Sequence, residues 1–342
     1  MDNFEVIINE IKNKNSKKIQ KIKNELLLNK YLLIICGPTA TGKSKVGLIL
    51  AKILDTNIIS VDSMQSYKGM DIGTDKQDFT KYNVLQFLIN ICKPDYLLTS
   101  VEYRDIARQI INTEFFNKNK IPILVGGSGL HIRAIVDNLM QAPQGDYKIR
   151  KEIKDDIKKH GIDFVYEKLK KVDPSYASKI SINDERRIIR ALEIYEKTGK
   201  KYSDFLKNWQ NRKSIYNCIF IGLNSKREEI YKNIENRVDK MIANGLVDEV
   251  RNLINAGYKD CFSLKQAIGY KELINYFDGK QNLDTAINEI KKNTKHLAKK
   301  QLTWFKADNR INWIDITNYD NIYDLINEVF NIILNVTKKE NL

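Results

Sequence analysis

Apolar residues gather along the chain into short continuous runs separated by amphipathic stretches. YLLIIC (31–36), NIISVD (57–62), IPILVGG (121–127) and CIFIGL (218–223) lack the polar alternation of a half-exposed strand, so each is predicted to be a strand buried on both faces. Helix-like sequence separates each from the next, which implies a parallel sheet covered by helices on both sides. YLLIIC stops at Gly37 and Pro38 and gives way at once to VGLILAKIL, a succession of strand, loop and helix.

Residues 1–30 read as a Lys-rich amphipathic helix, with Phe4, Ile7, Ile8 and Ile11 at helical spacing, and are expected to form a peripheral extension. Strand signals vanish between about 140 and 211. There QGDYKIRKEIKDDIKKH, FVYEKLKKV and NDERRIIRALEIYEKTG read as three or more charged helices, expected to form an insertion. Helical sequence resumes at 225–255, 263–276 and 284–307, INWIDI (311–316) is expected as an edge strand, and 320–337 as a closing helix.

With 342 residues and 42% hydrophobic composition, the chain can bury a sizeable core. No apolar run approaches the roughly 20 residues that cross a bilayer, and MDNFEVIINEIKNKN lacks a secretion signal, so membrane and exported proteins are set aside. Cys36, Cys92, Cys218 and Cys261 are scattered, as expected for reduced thiols in a cytoplasmic protein. Lys plus Arg outnumber Asp plus Glu by 57 to 43, a net charge of +14 that favours a polyanionic partner. An AT-rich genome would enrich surfaces in Lys as well, so charge alone leaves nucleic acid open.

GPTATGKS (37–44) fits G-x-x-x-x-G-K-[ST] and sits after a buried strand, opening a helix, where such a loop works. Its backbone N–H groups would cradle a phosphate chain, with Lys43 adding charge and Ser44 available to hold magnesium. The expected fold is therefore a P-loop NTPase-like α/β core over 31–139 and 212–338, with an all-helical insertion domain over 140–211. Asp62, at the end of the second run, should emerge beside the phosphate loop as a magnesium-orienting acid, a general base or a turn cap. The third run ends in Gly126, Gly127 and Ser128 where a Walker-type hydrolase would carry an acid, which favours transfer chemistry on a phosphorylated substrate. Arg237 falls on the apolar stripe of Ile230, Ile234 and Met241, either as a core salt bridge or as a guanidinium facing the phosphate site. KKNTKHLAKKQLTWFK (291–306) aligns Lys292, Lys295 and Lys299 on one face beside Trp304 and Phe305. NDERRIIRALE sets Arg187 and Arg190 three apart, a pattern suited to a single-stranded RNA loop or to a solvated charged face.

Together these segments resemble the tRNA dimethylallyltransferase (tRNA isopentenyltransferase) family, bacterial type. The likeness covers GPTATGKS, ISVDSMQSYKGMDIGTDK, ILVGGSGLHIRAI, VDPSYASKISINDERRIIRALEIYEKTGK, NRVDKMIANGLVDEVRNLI, QAIGYKEL and KKQLTWFK, in the family's order. The resemblance implies transfer of a dimethylallyl group from dimethylallyl diphosphate to the N-6 amine of the adenosine next to the anticodon, releasing diphosphate. It implies that Asp62 is the general base and that Lys43, Ser44 and Arg237 hold the diphosphate and its magnesium, with Gly37, Pro38, Thr39, Ala40, Thr41 and Gly42 completing the loop. It also implies tRNA contacts at Asp62, Ser63, Met64, Gln65, Ser128 and Arg150. Further tRNA-facing segments would be Arg186 to Arg190 (with Arg187), Gln266 to Lys271 (with Gly269 and Tyr270) and Asn293 to Lys300 (with Lys295 and Lys299).

The sequence departs from the common pattern at several places. Ser128 replaces a usual Thr, His131 a usual Tyr, and lysines replace several arginines in 295–306. Residues 81–96 lack the family's His-rich turn, and 1–30 lie outside the family core. No C-terminal zinc finger is expected, and the protein is expected to act as a monomer. An adenylate isopentenyltransferase acting on free AMP, ADP or ATP, a P-loop small-molecule kinase and a non-catalytic RNA-binding module are the alternatives. The helical segment 140–211 and QAIGYKE argue against the first, the Gly-Gly-Ser strand end against the second, and the phosphate loop against the third.

Overall fold

The buried runs form one sheet in which every strand is parallel to its neighbours. Its strands are β1 (Tyr31–Cys36), β2 (Ile58–Ser60), β3 (Gln86–Phe87), β4 (Ile123–Gly126), β5 (Asn217–Asn224) and β6 (Ile311–Asp315), in the order β3-β2-β4-β1-β5-β6. The computed structural model describes residues 3–138, 143, 145–207 and 212–339. β1 lies inside the sheet, with Ile34 aligned to Leu124 on one side and Phe220 on the other. The two-residue β3 falls in the segment 81–96, where no strand was predicted because Gln86 and Phe87 make no apolar run. β2 ends at Ser60, short of the predicted Asp62, which instead caps the turn Ser63–Ser66.

Successive strand residues point to opposite faces, so the continuous apolar runs feed two separate clusters. Leu33, Ile35, Ile123, Val125, Ile219 and Ile221 pack with the helices Asn3–Leu28, Lys43–Leu54 and Ile322–Lys339. Leu32, Ile34, Cys36, Leu124 and Phe220 pack with Ser100–Ile110 and Gly129–Val136. A third cluster joins Tyr67 and Met70 to the helices Arg227–Ala243, Leu246–Asn255, Phe262–Gln266, Tyr270–Phe277 and Leu283–Lys306.

The N-terminal helix is not a peripheral extension. Ile8, Ile11, Ile22 and Leu26 are at most 1% exposed, in the same cluster as Val329, Phe330 and Ile333 of the last helix. The apolar stripe visible in the sequence therefore covers part of the sheet's face. The helix bends at Asn15 (φ −122°), and Lys18 donates to Asn331 Oδ1 at 2.8 Å.

Residues 137–215 form a separate helical unit, and 1–136 with 216–342 form the α/β unit. The helical unit contains the helices Tyr147–His160, Ile162–Val172, Pro174–Ala177, Glu185–Thr198 and Tyr202–Phe205 around Ile153, Val165, Leu169, Ile188 and Leu192. The expected boundary residues 139, 140 and 211 lie outside the described residues. Among the described residues no helix is long and apolar enough to cross a membrane.

Truncating a fully buried core side chain typically costs about 2–5 kcal/mol. Ile22→Ala is expected to lower the unfolding free energy by an amount in that range, measured by chemical denaturation. A loss below about 0.5 kcal/mol, the ordinary effect of a surface change, would return the helix to the periphery.

Candidate active site

β1 delivers the chain into the loop Gly37 to Ser44, and the helix Lys43–Leu54 leaves it. Ala40 (φ 65°) and Gly42 (φ 79°) turn the backbone, and Thr41 ties the loop to itself by donating to Pro38 O at 2.9 Å. The Thr39 N–H donates to Gln301 Oε1 at 2.8 Å, so the helix Leu283–Lys306 braces the loop from outside. No local pattern marks Gln301 for this task, although KKQLTWFK contains it. Lys43 donates to Pro38 O. Its ammonium is pushed down to about 8, chiefly by desolvation and then by the neighbouring Arg237.

Arg237 projects from a helix whose Ile230, Ile234, Val238 and Met241 are buried. Its Nη1 donates to Thr39 Oγ1 at 2.9 Å and lies 3.3 Å from Asp75 Oδ2, so the guanidinium belongs to the phosphate-loop side of the site and is not locked in a core salt bridge. Asp62 Oδ1 accepts the Met64 N–H at 3.0 Å. Its carboxyl is raised above the usual range, because desolvation outweighs the lowering by the Met64 and Gln65 N–H groups, Arg237 and Lys43. Gln65 accepts from Ser60 Oγ at 2.6 Å and donates to Thr74 O at 2.9 Å, which fixes its side chain beneath the segment that carries Asp75.

β4 ends at Gly126, followed by Gly127 and Ser128. Ser128 Oγ is hydrogen-bonded to His131 Nδ1 at 2.7 Å, and the imidazole packs edge-on to Tyr103 with centroids 4.7 Å apart. Burial pushes His131 down to about 4, which leaves it neutral near pH 7.

These groups face one cavity of about 1180 Å³, lined by Thr39, Ala40, Gly42, Lys43, Ser44, Asp62, Ser63, Met64, Gln65, Ser128, Arg237, Gln266, Gly269 and Lys300 among others. Trp304 and Leu297 also line it, beside Ile234, Val238 and Met241. A cavity of this size with an apolar wall and a phosphate loop accommodates a phosphorylated ligand carrying an apolar group.

Several expected RNA-facing residues are engaged elsewhere. Tyr270 is 0% exposed, and its hydroxyl donates to Glu249 Oε1 at 2.6 Å, so it presents no surface to a ligand. Phe305, expected beside Trp304 as a stacking group, is buried in the sheet's second cluster. Lys295 pairs with Glu235 and lies 5.2 Å from the Tyr231 ring centroid, and Lys271 is 3.6 Å from Glu272, while Lys299 is exposed. In the helical unit, Arg150 and Arg190 both pair with Glu193, whose side chain is fully buried, at 2.8 and 2.6 Å. Arg187 is exposed and 3.3 Å from Asp184, and Arg186 is exposed.

The IPP transferase family model matches residues 65–308. The tRNA dimethylallyltransferase of Geobacillus thermodenitrificans is 42% identical over 308 residues, covering 90% of this chain and 97% of the relative. The tRNA isopentenylpyrophosphate transferase structure from Bacillus halodurans has a TM-score of 0.67 at 38% identity, covering 91% of this chain and 98% of that one. A eukaryotic dimethylallyltransferase acting on tRNA has a TM-score of 0.73 at 27% identity, covering 87% of this chain and 77% of that one.

The lowered Lys43 ammonium has a pH consequence. Lys43 is cationic below about 8 and neutral above it, and an anion binds the cationic form. Arginine at the same position stays charged throughout. The affinity for inorganic pyrophosphate, taken relative to Lys43→Arg at each pH, is therefore expected to fall as pH rises through about 8. Calorimetric titration checks this, and a ratio that stays flat between about pH 7 and about pH 10 would refute it.

Proposed function

The chain belongs to the IPP transferase family, and we propose that it is a tRNA dimethylallyltransferase, moving a dimethylallyl group from its diphosphate to the N-6 amine of the adenosine beside the anticodon. The observation that carries this reading is a shared cavity. Arg237 is bonded to the phosphate loop through Thr39, and Asp62 lines the same space beside Ser128.

The adenine amine is a poor nucleophile, because its lone pair is delocalised into the ring. Asp62 takes one of its protons as nitrogen bonds to the allylic carbon, and its raised pKa strengthens it as a base. The carbon–oxygen bond to diphosphate breaks in the same displacement, and its electron pair leaves with the diphosphate oxygen. The loop amides, Lys43 and Arg237 stabilise that growing charge. The phosphate loop thus serves a leaving group.

Among the described residues no cluster of three or more His, Cys, Asp or Glu could hold a metal ion. Ser44, exposed at the first turn of its helix, would offer its hydroxyl to a magnesium ion bound with the diphosphate, and such an ion would supply further charge neutralisation. Gln65, Gln266 and Lys300, which line the cavity, would contact the tRNA, and Arg150 and Arg186 to Arg190 are further candidate tRNA contacts in the helical unit. The enzyme would act in the cytoplasm.

Radiolabelled dimethylallyl diphosphate tests the reading with three acceptors: an anticodon stem-loop with adenosine after the anticodon, the same loop with guanosine there, and free AMP. Label on the first RNA alone is expected. Label on AMP would move the protein to the adenylate class, and ATP turnover with no label would move it to the kinases. Asp62→Asn is expected to lower transfer by about 10²–10⁴-fold while RNA binding persists. Lost binding with transfer per bound complex intact would remove Asp62 as the base.

A further inference from the structure

Glu249 occupies an unusual position for a half-buried carboxylate. It lies in the first turn of the helix Leu246–Asn255, yet its oxygens bond to another segment. Oε2 accepts the backbone N–H groups of Asp71 at 2.9 Å and Ile72 at 2.8 Å. Oε1 accepts the Gly73 N–H at 3.2 Å and the Tyr270 hydroxyl at 2.6 Å. The Tyr270 ring closes over Gly73 so tightly that a Cβ there would lie 2.5 Å from the ring. Four donors thus converge on one carboxylate and join three segments. Successive backbone N–H groups aimed at one acceptor form a nest that only an anion fully satisfies.

The clamped residues lead directly to the site. Two positions beyond Gly73, Asp75 lies 3.3 Å from Arg237, and Arg237 donates to Thr39 of the phosphate loop. Thr74 O meanwhile accepts from Gln65. Lys76 secures the far side of the segment by donating to Tyr67 O and Asn90 Oδ1, both at 2.6 Å.

We infer that Glu249, with Tyr270, is a positioning residue for the diphosphate: it clamps residues 71–73 so that Asp75 orients the Arg237 guanidinium over the phosphate loop. The inference rests on the proposed role of the loop in holding diphosphate. It gives Tyr270, in a segment the family resemblance assigns to RNA, a role in holding the donor.

Glu249→Gln replaces one acceptor oxygen with an NH₂ group that opposes N–H donors. Tyr270→Phe removes only the hydroxyl. Coupling through a network of this kind typically changes binding by a few-fold to tens of fold, so Glu249→Gln is expected to weaken inorganic pyrophosphate on the order of fivefold, and Tyr270→Phe less. The deciding measurement is the same substitution in an Arg237→Ala background, where it is expected to cost less than about twofold. A merely structural role would multiply the two losses. Equal loss in both backgrounds, or unchanged affinity in Glu249→Gln, would overturn the inference. Tyr270→Phe serves the same cycle should Glu249→Gln fail to fold. Pyrophosphate binding that follows this pattern in a protein that labels no RNA would leave the clamp standing and defeat the tRNA reading alone.

Discussion

At the carboxyl edge of the sheet, Gly126 lies so close to the chain leaving β2 that a Cβ would sit 2.1 Å from Val61 O. Gly37 is as tight against Leu223 O, at 2.2 Å. No other residue type fits either contact without separating backbones that are paired in register on both sides. Asp62 directly follows Val61, the phosphate loop opens with Gly37, and Ser128 lies two residues past Gly126. Asp62, the glycine-rich loop and the Ser128 hydroxyl are thus placed by backbone contact, before any side chain contributes. A side chain at Gly126 would push against Val61 and the Asp62 that follows it, and one at Gly37 would push the loop away from Leu223.

Onto that edge the fold places two cations that repel each other. Arg237 is held by Thr39 and Asp75, and it adds to the desolvation that depresses Lys43. Both costs are lowered when a multiply charged anion enters between them, since it restores a counter-charge where solvent has been excluded. Asp62 is tuned the opposite way. Its carboxyl is raised, chiefly by desolvation, while the same two cations keep it from rising further. A bound anion would screen the two cations and relax that restraint, and its departure would restore it, which favours release of a proton from Asp62 and return of the carboxylate.

Much of this arrangement was legible in the sequence where local pattern decides structure. β1, β4 and β5 are long apolar runs, and GPTATGKS is a contiguous motif in its expected setting. The helical stripe of Ile230, Ile234 and Met241 placed Arg237 on a face that needed a partner. Long-range pairings left no such mark. Phe4, Ile7 and Ile11 announce an amphipathic helix, but nothing in the chain says that the last helix and the sheet lie beneath it. Gln301 and Glu249 act on backbone N–H groups in distant segments, and a backbone donor has no residue letter. Phe305 misled for the same reason, reading as a surface aromatic of a basic segment until its burial is seen, and Tyr270, which the resemblance placed in an RNA-facing segment, is buried as well.

Basic and carboxylate residues here also brace the fold. Glu193 is buried, and a lone carboxylate there would be costly, yet it receives Arg150, Arg190 and the Asp146 N–H. Glu272 likewise accepts from the Gly269 N–H and Asn293 Nδ2, both at 2.7 Å. Cations committed to such centres have less charge to offer outward, whereas Lys299 and Lys300 are exposed. Those two lysines directly precede Gln301, which holds the Thr39 N–H. This exposed basic stretch of helix is therefore one hydrogen bond from the phosphate loop. Thr39 in turn accepts from Arg237 through its hydroxyl, so Gln301, Thr39 and Arg237 form one continuous chain of hydrogen bonds.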